Sequence, residues 1–391
     1  MQSKPVYLSS LTALRGIAAL LVVVYHFSKI VLDDELLPLS QSSFVQKSYL
    51  MVDFFFILSG FIMAYVYGDW FVKKCNGSDF RKFFVARFAR LYPLHLFTLG
   101  WCIMLKTLLH LTGIMPDLSA KMQGMFVLEA IPVHMLLLNA FVPDAFLTFN
   151  IPSWSVSAEW YTYLLFPMLA WLAARQGWAR KILFVALLYV AYWSIIQFYG
   201  HNFDLNVTHY GGVFRCLIGF GIGMMTYAGY QRLRQWRGFE HSGWLTLACA
   251  LLVLGMHFGV SDLFMVAMFP VVIFFAACNT GAMSRLFDRP FFQTIGERSY
   301  SIYMIHVPLM STFLVGWLMF RTEKSVGVDN ASALALSPAV AWGACAVYVT
   351  LVLALSALTF RYVEAPLRRW VNGRFVIKSR AGHMVAMGKQ A

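Results

Sequence analysis

Charge is what this chain has least of. Only 13% of its 391 residues are Asp, Glu, Lys or Arg, against roughly 25% in a soluble domain. Acid is scarcer than base, with 18 acidic residues against 31 basic ones. The six cysteines, Cys75, Cys102, Cys216, Cys249, Cys278 and Cys345, stand singly and mostly in apolar runs. That spacing excludes a zinc cluster and a disulfide framework and reads them as small core residues; no metal site is expected. No P-loop, Rossmann glycine pattern, Gly-x-Ser-x-Gly elbow or His-Glu-x-x-His helix is present, so the common nucleotide, hydrolase and zinc-protease signatures are missing. The β-barrel's strong alternation is absent as well. No small-residue cleavage site follows the first apolar run, which reads as an uncleaved span. There is no clear internal repeat, which weakens a secondary-transporter reading.

What the chain does have is apolar residues, 60% of the total, gathered into runs near the ~20 residues that cross a bilayer as a helix. Ten spans are predicted, at 8–30, 50–67, 84–111, 156–174, 181–199, 211–229, 243–259, 262–278, 299–320 and 336–361. The short apolar run 131–142 reads as re-entrant or interfacial. The fold class expected is an all-α polytopic membrane protein, with one integral-membrane domain over 1–370 and a basic tail over 371–391.

With the N-terminus in the cytoplasm, only Lys29, Lys47, Lys106, Lys121, Arg215, Arg321 and Lys324 fall outside, and the other 24 of the 31 basic residues fall inside. The positive-inside rule therefore puts both termini in the cytoplasm. The acids Asp33, Asp34, Glu35, Asp117, Asp144 and Asp204 fall outside. The net charge of +13 is thus chiefly a topology signal, and a nucleic-acid partner is not expected.

Ionisable groups within spans are costly and are functional candidates by default. Arg15 and His26 lie eleven residues apart in the first span. Eleven residues turn a helix by roughly 1100°, about 20° past three full turns, and advance it about 16 Å. The two side chains therefore share a face, one near the cytoplasmic border and one near the outer part. His26 is either a histidine bonded to a neighbouring helix or a general base or acyl acceptor. Arg15 is either a snorkelling anchor or a cavity residue.

Arg87 and Arg90 sit three apart at the cytoplasmic end of span three. They are either topology charges or, with Arg15, a fork-donor cluster for an anion such as a pyrophosphate or phosphorylated nucleotide. Asp53 opens span two at its outer end, where a carboxylate can face water. Ser59-Gly60 makes a notch that serves either close helix packing or backbone approach to a ligand. Trp154, with Ser155, leads into span four as an interface anchor. Glu159 follows within the apolar edge, poised to orient His26 or meet an acceptor hydroxyl, or else simply to pair with Arg215. Ser299, Tyr303 and His306 form a polar stripe in span nine that lines a cavity or holds an interface.

These pieces, in order, are LTALRGIAALLVVVYHF, VDFFFILSGFIMA, ARFARLYPLH, IPSWSVSAEWYTYLLFP, RCLIGFGIGMMTY, GERSYSIYMIH and FRYVEAPLRRW. Together, over most of the chain, they resemble acyltransferase family 3, membrane O-acyltransferases that modify surface carbohydrates. The resemblance implies a multi-pass enzyme of a bacterial inner membrane with no permanently bound cofactor. It implies acyl-CoA, usually acetyl-CoA, as cytoplasmic donor and a hydroxyl of a carbohydrate or lipid-linked glycan as outer acceptor, an exopolysaccharide or lipopolysaccharide by family habit. It makes His26 the catalytic histidine, Arg15 its motif partner, and Arg87 and Arg90 the double-arginine donor motif. Ser59, Gly60 and Glu159 match further family positions. A transporter of glycan or donor, and a non-catalytic member of a glycan-assembly complex, are the alternatives.

Overall fold

A computed structural model of the chain describes residues 6–31, 42–73, 76–113, 124, 127–142, 148–199, 204–206, 211–320 and 337–375. Among these residues every regular element is helical: α1 (Ser9–Val31), α2 (Ser43–Gln46), α3 (Met51–Lys73), α4 (Gly77–Leu111), α5 (Ile131–Met135), α6 (Ser153–Ala174), α7 (Trp178–Tyr199), α8 (Gly212–Leu233), α9 (Ser242–His257), α10 (Asp262–Cys278), α11 (Ala282–Phe287), α12 (Pro290–Glu297), α13 (Ser299–Phe320), α14 (Pro338–Thr359) and α15 (Ala365–Phe375), with short 3-10 turns between some of them. Each of the ten predicted spans overlaps a helix, those at 243–259 and 262–278 overlapping the shorter α9 and α10. Among the described residues six helical stretches are long and apolar enough to cross a membrane, and α9 and α10 are shorter apolar helices. A 22-residue helix such as α7 rises about 33 Å, the thickness of a bilayer's hydrocarbon core. Ile182, Leu183, Leu187, Val190 and Phe198 of α7 face outward, as side chains do where the solvent is lipid. The protein is an all-α polytopic membrane protein.

Three boundaries differ from the sequence reading. Helix α4 begins at Gly77 rather than 84, because Asn76 caps it by accepting the Asp79 backbone N–H at 2.8 Å; the polar first turns are helical although they are not apolar. The last predicted span ends in a π-helical stretch, Phe360–Glu364, and α15 then runs through the predicted 370/371 domain boundary. The tail beyond 375, Cys75, and the predicted outer acids Asp33, Asp34, Glu35, Asp117 and Asp144 lie outside the described residues. The run 131–142 holds only the five-residue α5 and turns, too short to span. It is tied to the bundle: His95 Nε2 bonds the His134 carbonyl at 2.8 Å, and Ser157 donates to the Leu137 carbonyl.

The tightest helix crossing joins α3 and α8. A Cβ at Gly60 would stand 2.0 Å from the Phe220 carbonyl oxygen, and one at Gly223 1.9 Å from that of Ile57. Backbone meets backbone here, as in small-residue crossings of membrane helices. Gly60→Ala is expected to force the pair apart and lower stability by about 1–3 kcal/mol, read as a lower melting midpoint of the detergent-solubilised protein. An unchanged midpoint would mean that the two backbones do not approach this closely.

Candidate active site

Arg15 and His26 do share a face of α1, and both meet the same neighbouring stretch. The Arg15 guanidinium donates from Nε and Nη2 to the Gly296 carbonyl, at 3.2 and 3.0 Å, where α12 ends. His26 meets His306 on α13, with Nδ1 and Nε2 3.2 Å apart and ring centroids 4.9 Å apart.

The hydrogen bonds fix both tautomers. His26 Nδ1 lies 3.0 Å from the Val22 carbonyl, which only accepts, so Nδ1 carries the proton. His306 Nδ1 lies 2.6 Å from the Tyr303 carbonyl and must likewise donate. Neutral His306 then offers its Nε2 lone pair to His26 Nδ1–H. This leaves His26 Nε2 as an unprotonated lone pair, the state a general base or nucleophile needs. The Tyr348 hydroxyl donates to the His306 carbonyl at 2.6 Å and fixes that turn of α13 to α14.

Below this pair lies a cavity of about 120 Å³. Of the residues predicted for a site or cavity, Arg15, Ser59, Arg87, Arg90, Ser155, Glu159, Ser299 and Tyr303 line it. Arg87 is 3% exposed. Its Nη2 donates to the Tyr67 hydroxyl at 2.9 Å, its charge lies over the Tyr67 and Tyr163 rings, and its Nε is buried without a partner. Among the described residues no carboxylate pairs with Arg87 or Arg15. Arg90 differs: its Nη1 meets Glu364 at 3.1 Å, and the other oxygen of that buried carboxylate accepts from Ser301 at 2.6 Å. Opposite, Tyr163 donates to Glu159 at 2.6 Å and so receives the Ser59 hydroxyl proton across 2.7 Å. The Ser155 and Tyr303 hydroxyls are 2.7 Å apart.

His26 does not line this cavity. Phe55 and Tyr303, in edge contact, are wall residues, and the Tyr303 ring leads through His306 to His26. In this chain of ring contacts His306 stands between the wall and His26.

Several candidates are used elsewhere. The Glu159–Arg215 pair, one of the two readings of Glu159, does not form: Arg215 pairs with Asp53, Nη2 to Oδ2 at 2.5 Å and Nε to Oδ1 at 3.2 Å. Asp53 does not face water; it is fully buried, because the guanidinium from α8 and the Tyr192 hydroxyl satisfy it. Trp154 is buried rather than interfacial, with Arg215 over its ring and Gly212 against its edge. Gly60 serves helix packing, while its neighbour Ser59 faces the cavity.

Tyr67, Tyr163 and Glu364 were missed by the sequence reading. The two tyrosines look like ordinary bulk in an apolar run. Glu364 sits among arginines in FRYVEAPLRRW and looks like a solvated loop charge, yet it is 1% exposed. It sits on the π-helical stretch Phe360–Glu364, a local device that concentrates at functional positions but that its residue types do not announce.

Residues 8–361 match the family model described as an acyltransferase domain. The acyltransferase MdmB of Streptomyces mycarofaciens is 31% identical over 171 residues, covering 43% of this chain and 40% of that protein. Protein 2 in the picA locus of Rhizobium radiobacter is 42% identical over 100 residues, covering 25% of this chain and 46% of that protein. The peptidoglycan O-acetyltransferase OatA of Listeria monocytogenes is 22% identical over 392 residues, covering 93% of this chain and 56% of that protein. The chain spans about half the length of these curated relatives. No solved structure matches it.

Proposed function

The chain belongs to the acyltransferase family whose domain it carries, and from that premise we propose that it moves an acyl group, acetyl for preference, from cytoplasmic acyl-CoA to a glycan hydroxyl. The acceptor is an exopolysaccharide, lipopolysaccharide or related glycan at the outer face of a bacterial inner membrane. The observation that carries this reading is the cavity itself. Arg15 and Arg87, which have no carboxylate partner among the described residues, face a common space, and among those residues the buried Arg87 Nε lacks an acceptor. A buried guanidinium left that way calls for an anion. The donor's phosphates supply one.

In this mechanism the phosphates engage Arg87 and Arg15, while Glu364 holds Arg90 in position. The thin pantetheine arm runs up the cavity, and its thioester passes Phe55 and Tyr303 to reach His26. His26 Nε2 takes the proton of the acceptor hydroxyl as that oxygen attacks the thioester carbonyl. The CoA thiolate leaves, and the ester forms on the glycan. The alternative order, acylation of Nε2 first, uses the same lone pair.

The test compares surface glycans by NMR in cells with and without the gene. Loss of O-acyl signals that return on complementation supports the reading. Identical glycans, together with no acetyl-CoA turnover by the purified protein, would overturn it. Arg87→Gln is expected to weaken donor binding about 10- to 100-fold, the worth of one to two charged hydrogen bonds, measured by calorimetry with acetyl-CoA. Unchanged affinity would remove Arg87 from the donor site.

A further inference from the structure

A second hollow shares no residue with this cavity. It is a groove of about 640 Å³ between α6 and α7 with α8 as its floor, walled by Leu169, Phe184, Leu187, Leu217 and Met224. At one end the lining changes character, to Gln176, Arg180 and Lys181. This end is the short turn joining α6 to α7. It lies toward the same end of the bundle as the start of α4, since Phe166 of α6 meets Phe71 and Phe83 at 5.8 and 5.3 Å.

The polar end is strongly cationic. Arg180 donates to Gln176 at 3.2 Å. Lys181 and Arg232 both lie over the Trp178 ring, at 5.1 and 4.8 Å, and Arg175 lies over Trp171 at 3.7 Å. Among the described residues none of these four cations has a carboxylate partner. The tryptophans mark headgroup depth. An apolar slot with uncompensated cations at its mouth is complementary to one kind of molecule: long hydrocarbon chains ending in an anion.

We propose that this groove is a binding site for one anionic diacyl phospholipid of the cytoplasmic leaflet. Its acyl chains lie between α6 and α7 against α8. Its phosphodiester sits at Gln176, Arg180 and Lys181, with Arg232 and Arg175 adding to the local field. Any lipid gains the apolar contacts; the cations provide the selection, roughly fivefold for each one near the phosphate. The site is independent of acyl transfer and stands or falls without it.

Native mass spectrometry of the full chain in detergent tests it, with phosphatidylglycerol and phosphatidylcholine of identical chains as probes. Phosphatidylglycerol should be retained at least about tenfold better. The double change Arg180→Gln and Lys181→Gln should remove that preference and leave phosphatidylcholine retention unchanged. Gly221→Leu fills the floor, where an added Cβ meets the flexible Leu188 side chain at 3.0 Å and the Phe184 ring at 3.7 Å, and should reduce both lipids. Equal retention of the two lipids by the parent protein, or an undiminished preference in the double variant, would overturn the proposal. Arg180 is exposed and Lys181 half-buried in the first turn of α7, so the double variant keeps the test decisive should Gly221→Leu fold poorly.

Discussion

His26→Ala should lower acyl transfer by roughly 10²- to 10⁴-fold, the contribution of a positioned general base, while donor affinity stays within about twofold. The split follows from the geometry. The arginines proposed to hold the donor's phosphates line the cavity, whereas His26 stands behind Tyr303 and His306, outside the lining. Removing the imidazole therefore removes the proton acceptor and leaves phosphate recognition alone. In the proposed mechanism His306 acts through His26 and is a positioning residue. Its Nε2 accepts the His26 Nδ1–H at 3.2 Å, which favours the tautomer with a free Nε2 and stabilises the imidazolium formed on proton transfer. His306→Ala should cost part of the rate, and His306→Gln, whose amide oxygen can accept the same proton, should recover some of it. The measurement is acetyl-CoA turnover by purified variants at matched protein levels, alongside donor binding. Full turnover by His26→Ala at normal protein levels would end the catalytic assignment. A loss in His306→Ala confined to donor affinity would detach His306 from the base.

How much of this was legible in the sequence depends on the kind of question. Helix positions were, because about twenty apolar residues in lipid have few alternatives: an unpaired backbone is too costly there. The Arg15–His26 relation was legible too, because helical periodicity is local; both side chains reach the α12–α13 stretch, at Gly296 and His306. What periodicity cannot supply is which helix stands opposite. Glu159 and Arg215 shared a predicted depth, yet Arg215 found Asp53 on the helix that α8 crosses most tightly. That crossing had a readable sign, the Gly219-x3-Gly223 spacing in GFGIG. Read with Gly60, it would have brought α3 against α8 and Asp53 toward Arg215. Glu364 had no comparable sign in residue type, since its burial depends on Arg90 and Ser301 arriving from two other helices.

Arg215→Ala is expected to destabilise the protein by about 3–5 kcal/mol, the cost of leaving one member of a buried ion pair without the other. Asp53 and Arg215 side chains are 0% and 1% exposed, so the carboxylate left behind is far from bulk water. Tyr192 donates to both Asp53 Oδ1 and the Arg215 carbonyl, at 3.3 and 3.2 Å, which ties α7 into the same knot and makes the loss felt by three helices. Replacing both partners with apolar residues, Asp53→Leu with Arg215→Met, should recover much of the loss, because the unpaired charge is then gone. Melting midpoints of the single and double variants in detergent check this through the double-mutant cycle. The outcome also decides between structure and catalysis. If the pair serves only to lock α3, α7 and α8, the folded fraction of the double variant transfers acyl groups at the parent rate. If that folded fraction is inactive while donor binding is intact, the pair belongs to the acceptor side of the reaction, and the outer end of α3 must be redrawn as part of the active site.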